Sequence, residues 1–578
     1  MHLNISKRKD GKMYLSITKT FRDKLTKKNR SKTVQSIGWL HDLEKEYPDP
    51  IAHFRQVALD MTNAEKKKHK LSLNIDMNES LSKEANGLQN LGYALPLSVY
   101  HNLEIHKFLK KMTYGKSFEF NTNSIMLLLV ISRLLNPGSK KKAYENKGRF
   151  FERFDFSLDD VYRSLTHFDE IEKKLQAFLH SKVTEKYGSD TSVIYYDVTN
   201  YYFEIKSTDD MRKYGKPKQN RKKPVVQMGL AMDKDGVPIH YKLFPGNKLD
   251  KETFRSVIGE IKTKYDTGRI IVVADMGIIT GDNINYLIGG KPEKPLNGYV
   301  LSFSVRGGTK DFKKYVLCED DFVDKSGNPS TDESDFKIKS RVIAREISVT
   351  MNSGKTKKQF VYEKQVVFWS RKYYEKARAE RAEVIAKAID LTENPQKYNK
   401  ATSYGAAAYV NDLEYVKDTG EIVNKDLKLN ETKIAEDEKY DGYYSIVTSE
   451  LHMPDYEIID TYRGLWEIEE TFKITKSDLA ARPVYVSDYS HINAHFLTCF
   501  IALTILRLIQ KETNKEYSAT KIIDCLNKIE CMNEQENLYL FSYRSELSDV
   551  LGKTFGIDFS KKRLRLEDIK KIIGDVKK

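Results

Sequence analysis

Met13, Leu15 and Ile17 alternate with Tyr14, Ser16 and Thr18, a period of two that predicts a β-strand. With residues 3–6 before a turn at Asp10-Gly11 and residues 33–40 closing the pattern, the amino terminus reads as a small meander. From about 42 to 190 the period becomes helical, with amphipathic runs at 51–61 and 124–135 and a stop at Asn136-Pro137-Gly138. Strands then return. Residues 191–198 are β-branched and aromatic, 225–232 and 237–244 flank a turn at Lys234-Asp235-Gly236, and 251–265 read as a helix. A wholly apolar strand at 270–274, a helix near 282–288 and a strand at 299–305 follow. Residues 306–449 interrupt this order with mixed strands such as 360–370 and a charged helix at 372–390, as an inserted domain would. One long helix is expected from 455 to about 476, and helices are expected to dominate the remainder.

The order β-β-β-α-β-α-β over 191–305 is the ribonuclease H-like succession. The expected fold is therefore multidomain α/β, with a ribonuclease H-like mixed sheet flanked by helices. The expected divisions are a basic amino-terminal β module with a linker helix (1–75), a helical domain (76–190), a catalytic core (191–305 and 450–510), the β-rich insertion (306–449) and a carboxy-terminal helical region (511–578).

Charge changes the picture most at the amino terminus. The 578 residues carry 97 Lys and Arg against 82 Asp and Glu, a net +15. Residues 1–40 hold eleven basic side chains, Lys7, Arg8 and Lys9 among them, against Asp10 and Asp23, so +9 of that total sits in one module. A polyanionic partner is the first expectation, and a solvated charged sheet that binds nothing is the alternative. Four scattered cysteines are too few for a disulfide framework, and no apolar signal segment precedes a cleavage site, so a reducing, cytoplasmic location is expected. The apolar runs 125–135 and 496–509 fall short of the roughly 20 residues of a bilayer span and read as buried helices, with no membrane partner.

Candidate chemistry lies in three carboxylates. Asp197 interrupts the apolar and aromatic run Val193-Ile194-Tyr195-Tyr196-Asp197-Val198, where an unpartnered charge would be costly. Asp275 ends the apolar strand 270–274, at the carboxyl end where open α/β sheets carry functional groups, though a turn or cap role would also place an Asp there. Ile458, Tyr462, Leu465, Glu469, Phe472 and Lys476 recur at spacings of 4, 3, 4, 3 and 4. On a continuous helix this stripe turns Glu469 inward and Glu467 and Glu470 outward; an exposed Glu469–Lys473 pair is the alternative. Three inward carboxylates make sense together around two Mg²⁺ ions, for which Mn²⁺ could substitute, serving phosphodiester cleavage or transfer.

The run 211–223 includes Arg212, Lys213, Arg221, Lys222 and Lys223 without an acid, and reads either as a DNA-tracking loop or as a solvated one. Trp466 is a candidate stacking platform or a core side chain. No GxxxxGK[ST] loop or HExxH is present, so no nucleotide cofactor is expected; His491, His495 and Cys499 share a helical face but lack a fourth zinc ligand.

YYDVTNYYFE, VVADMGI and YRGLWEIEETFKITKSDL together resemble the three blocks of bacterial insertion-sequence transposases of the DDE class, in the subgroup with a β-rich insertion between the second Asp and the Glu. FPGNKLDKETF, YDGYYSIVTS and RPVYVSDYSHINAHFLTCFIAL are similar to that family as well, so the resemblance covers about 190–510. It implies that Asp197, Asp275 and Glu469 bind the catalytic metals. It also implies that Tyr462 and Lys476 belong to the family's Tyr-Arg-Glu-Lys signature, whose Arg position is Leu465 here, with Arg463 beside the Tyr as a possible DNA contact. The implied activity is cleavage of double-stranded DNA at the element's terminal inverted repeats and transfer of the 3′-hydroxyl ends to target DNA, with a homodimer in the synaptic complex. A ribonuclease H-like structure-specific nuclease, and a non-enzymatic DNA-binding protein derived from a transposase, are the alternatives.

Overall fold

The structure is a computed structural model that describes residues 1–8, 10–22, 29–67, 78, 80, 87–215, 223–265, 267–278, 280–331, 334–351, 353–400, 402–416, 419–423, 426–535 and 537–578. It is a mixed α/β chain with two compact units, Met1–Asn86 and Gly87–Lys578.

In the first unit β1 (His2–Lys7), β2 (Met13–Arg22) and β3 (Asn29–Trp39) form the expected antiparallel meander, in the order β1-β2-β3. Leu15 and Ile17 of β2 are fully buried, as are Phe54 and Ala58 of the Pro50–Lys67 helix, and the polar Ser16 and Thr18 between and after them are buried too. Lys7, Arg8, Lys12, Arg30 and Lys32 are exposed.

The second unit begins with β4 (Leu88–Asn90) and continues through β5 (Val193–Tyr202), β6 (Val225–Met232), β7 (Pro238–Pro245), β8 (Ile271–Ala274), β9 (Gly298–Ser302), β10 (Phe336–Thr350) and β11 (Thr356–Ser370). The short β12 (Val410–Asn411) and β13 (Lys428–Leu429), then β14 (Tyr443–Thr448), β15 (Glu530–Gln535), β16 (Leu538–Phe541) and β17 (Arg563–Arg565), complete the strands. Eight of them make one sheet in the order β10-β11-β14-β9-β8-β5-β6-β7. β5 and β9 pair with β8 in parallel, and the remaining pairs are antiparallel. Gly236, at φ +78°, makes the β6–β7 turn at the expected place.

Strand alternation divides the sheet between two cores. Ile194, Tyr196, Val198, Val272 and Ala274 face the helices Asp250–Lys264 and Gly281–Ile288, while Val193, Tyr195, Tyr201 and Val273 face the larger core. Into that larger core the Leu158–Tyr187 and Tyr489–Glu512 helices press. The latter is long and apolar enough to cross a membrane by length and composition, but its apolar window is wholly buried within the fold.

Three expectations change. The long β10–β11 hairpin adds to the core sheet through β11–β14 pairing, so the insertion is not a sheet of its own. The carboxy-terminal region is not purely helical: β17, β16 and β15 form a four-stranded sheet in that order with β4, which pairs with β15, short strands whose polar edges hid them from a helical reading. The expected single helix from 455 to 476 is two, Asp455–Arg463 and Trp466–Lys476. Gly464 packs against Tyr195, where a Cβ would come within 2.0 Å of the phenol oxygen. Around it the amides of Leu465, Glu467 and Ile468 bond three residues back, to Tyr462, Gly464 and Leu465, at 3.0–3.1 Å. Those tighter turns advance each residue further around the axis than an α-helix does and shift the phase of everything after them.

Candidate active site at the ends of the central strands

Asp197 lies within β5 and Asp275 directly follows β8. The parallel pairing of β5 with β8 ends at Tyr195–Val273, two residues before each acid, on strands about 4.8 Å apart. Asp197 is half-buried, whereas Asp275 is exposed and not inward as expected, because it lies past the end of its strand. Each carboxylate accepts the amide of the following residue at 2.7 Å, Val198 for Asp197 and Met276 for Asp275. Ser302, at the end of β9, donates its hydroxyl to Asp275 at 2.7 Å. Ser302 was not singled out by sequence; its only signal was its place at the end of the next parallel strand.

The Trp466–Lys476 helix lies along the same face of β5. Gly464 touches Tyr195 at one end, and at the other Thr475 shares a 2.7 Å hydrogen bond with Tyr201 while Lys476 donates to the Thr199 hydroxyl. Seven residues apart on this helix, Glu469 and Lys476 share one side of it.

Glu469 does not point inward, as the stripe predicts; it is exposed, and among the described residues it has no hydrogen-bond or ion-pair partner. Ile468 and Phe472 fill the core positions, and the two acids expected to turn away are the engaged ones. Glu467 is 8 % exposed and Glu470 half-buried. Buried Arg507 of the Tyr489–Glu512 helix donates to Glu470 at 3.0 Å, and Lys515 to Glu467 at 2.6 Å. The phase shift at Gly464 and the attraction of Arg507 are the physical reasons for the difference.

Tyr462 and Tyr444 share a 2.9 Å hydrogen bond beside Asp275. Burial first, then Tyr444, holds the Tyr462 phenol far above its usual range, so it stays a neutral donor. Tyr195 is pushed up to about 12, chiefly by burial. Leu465, at the signature Arg position, is buried and cannot reach a phosphate. Arg463 is exposed, pairs with Asp460 at 3.2 Å, and lines a groove of about 710 Å³ with Lys325, Arg371, Lys372, Tyr373 and Tyr456. Trp466 is 56 % exposed and is not a core side chain.

The basic run is less free than its sequence implied. Arg212 pairs with Asp209, Lys213 with Asp210 at 3.8 Å, and Lys223 with Glu204, acids that lie just before the run. Arg221 and Lys222, like Lys9, lie outside the described residues. In the amino-terminal unit Arg8 stacks over the Trp39 ring at 4.8 Å, and Lys7 is open to solvent.

Carboxylate oxygens are what hard divalent ions take, and Asp197 and Asp275 supply them from one strand and the end of its neighbour. Among the described residues, however, no three His, Cys, Asp or Glu side chains are gathered so that they could hold a metal ion. The chemistry of the three acids suits such an ion, but they are not gathered around one, and Glu469 would have to turn toward the other two. His495 is engaged with Lys140 and Ala481, which leaves no zinc set with His491 and Cys499.

Residues 3–71 match the family model for the IS1634 family transposase, N-terminal domain. No curated protein matches the chain. Among solved structures it is similar to a piggyBac transposase synaptic complex with hairpin DNA, at 10 % identity and a TM-score of 0.28, over 86 % of this chain and 87 % of that one. A Mos1 transposase paired-end complex with left transposon end is similar at 12 % identity and a TM-score of 0.11, over 41 % of this chain and 65 % of that one. Scores this low do not define the fold. The family match therefore rests on the amino-terminal module, residues 3–71.

Proposed function

We propose that this chain is a transposase of the DDE class: it binds its element's terminal inverted repeats, hydrolyses the DNA to free 3′-hydroxyls, and joins those ends to target DNA. The observation that carries the reading is Asp197 within β5 and Asp275 at the end of β8, its parallel neighbour in the sheet, each two residues beyond the Tyr195–Val273 pair. The order β7-β6-β5-β8-β9 within the sheet, with three antiparallel strands and then two parallel ones, supports a ribonuclease H-like core.

Asp197, Asp275 and Glu469 would hold two divalent ions, Mg²⁺ or Mn²⁺, whose chemistry is to make water or a 3′-hydroxyl nucleophilic and to stabilise the leaving oxygen. The chain's own groups orient that site. Ser302 fixes one Asp275 oxygen, and the neutral phenols of Tyr444 and Tyr462 beside it add no competing negative charge. Lys476, anchored on Thr199 near Asp197, and Arg463 in the groove are positioned to meet phosphates. The exposed basic residues of the amino-terminal module serve the DNA backbone and set no sequence preference by charge alone. Synapsis of two ends calls for at least a homodimer on DNA, in the cytoplasm and on the nucleoid.

The test is incubation with the element's own end DNA and Mg²⁺, with the cuts mapped, followed by precut ends and a target plasmid. Cuts at the repeat termini and joined products are expected. Hydrolysis without joining would favour a structure-specific nuclease, and binding without any cut a non-enzymatic DNA-binding protein.

A further inference from the structure

Away from the acids, the Thr122–Leu135, Lys140–Glu145 and Tyr489–Glu512 helices enclose a cavity walled by Ser132, Arg133, Ser139, Lys140 and Thr498. The space open to the centre of a water-sized sphere is about 10 Å³, room for one particle of roughly that size.

The walls are unusual in their charge. Arg133 and Lys140 are 5 % and 4 % exposed, and among the described residues neither has a carboxylate partner. Arg133 uses its terminal nitrogens on the carbonyls of Leu479, Ala480 and Gly138 at 3.0–3.1 Å, while its Nε has no partner. The Ser132 hydroxyl, 4 % exposed, has none either. His495 Nε2 donates to the Ala481 carbonyl at 3.0 Å, so its Nδ1 is a lone pair that takes one proton of Lys140 Nζ at 2.7 Å. The other Lys140 protons have no partner among the described residues. Burial, and then Arg133, pull Lys140 down to about 7, as expected for a cation with nothing opposite it.

Water could satisfy these donors but would leave two buried positive charges uncompensated, whereas an anion does both. Phosphate and sulfate are too large for the space. We infer that this cavity binds one halide-sized anion, chloride in the cell, held by Arg133 Nε, Ser132 Oγ and Lys140 Nζ. Because Arg133 also holds the carbonyls of Leu479 and Ala480, just beyond the Trp466–Lys476 helix, the ion would brace the end of the element that carries Glu469.

The experiment is thermal unfolding of the full chain at constant ionic strength, with chloride or bromide exchanged for gluconate or sulfate. A saturable rise in Tm with the halides alone is expected, reduced in Ser132→Ala and lost in Lys140→Met. Equal midpoints in all four salts, or an undiminished halide effect in both variants, would overturn the site. If Lys140→Met does not fold, crystals of the unaltered protein grown in bromide decide. An anomalous peak within hydrogen-bond distance of Ser132 Oγ and Arg133 Nε supports the site, and a cavity without bromide overturns it.

Discussion

The Trp466–Lys476 helix carries acids on two edges, and the edges differ in what the fold provides for them. Glu467 and Glu470 meet Arg507 and Lys515, cations the chain itself supplies. On the other edge Glu469 has no partner among the described residues, and Asp275, beneath the same helix pair, is held by a hydroxyl and an amide but by no cation. Acids that a fold neutralises internally are structural, and removing one strands a buried charge. Acids left near one another without a cation await one from outside, which is what a metal- and DNA-dependent site requires.

The largest expected effects fall on the carboxylates of the proposed catalytic set. Asp197→Ala and Asp275→Ala should abolish end cleavage while leaving binding to end DNA largely intact, as a cleavage assay beside a gel-shift titration would read; near wild-type cutting by either breaks the contrast. EDTA should stop cleavage, Mn²⁺ should restore it, and Ca²⁺ should support binding with little cutting. Undiminished activity in EDTA would remove the need for an external cation.

Next comes the amino-terminal unit, whose charge is exposed. Deleting residues 1–40 should weaken DNA binding and flatten its salt dependence, by roughly 0.9 in log-log slope for each phosphate that the module neutralises. An unchanged slope would make that charge a solvated surface.

The smallest effect concerns an acid satisfied by neither route. Asp233 is fully buried in the β6–β7 turn and accepts the amides of Asp235 and Val237 on one oxygen and the Ser189 hydroxyl on the other. Burial raises it to about 6. Its folded form therefore holds the proton more tightly than the unfolded chain does. The stability this gives is full below about pH 4 and is lost as pH rises through 6, by roughly 2–3 kcal/mol at most. Asp233→Asn keeps the acceptor and can donate to Ser189, so its Tm should lack that decline between pH 4 and 7.

The sheet was legible because its strands are apolar and β-branched: 225–232 was expected and β6 is Val225–Met232, and the turn at Gly236 and the Asp250–Lys264 and Gly281–Ile288 helices fall where the periodicity put them. The parallel pairing of the strand that holds Asp197 with the strand that Asp275 follows was not, because it joins segments far apart in sequence. The direction of Glu469 was misread because a periodicity argument assumes an unbroken helix, and the break at Gly464 is imposed by Tyr195, some 270 residues earlier. The partners of the basic run, Glu204, Asp209 and Asp210, lie just outside the window in which that run looked acid-free.

Glu469 and Glu470 are adjacent and chemically identical, so comparing Glu469→Gln with Glu470→Gln, each assayed for end cleavage and for Tm, separates the two edges of the helix. Glu469→Gln should lose cleavage by several orders of magnitude with its Tm unchanged. Glu470→Gln should keep cutting while losing roughly 1–3 kcal/mol of stability, because buried Arg507 loses its closest carboxylate. If Glu470 proves essential to cleavage and Glu469 dispensable, or if the two variants behave alike, the open edge of this helix is not the catalytic one.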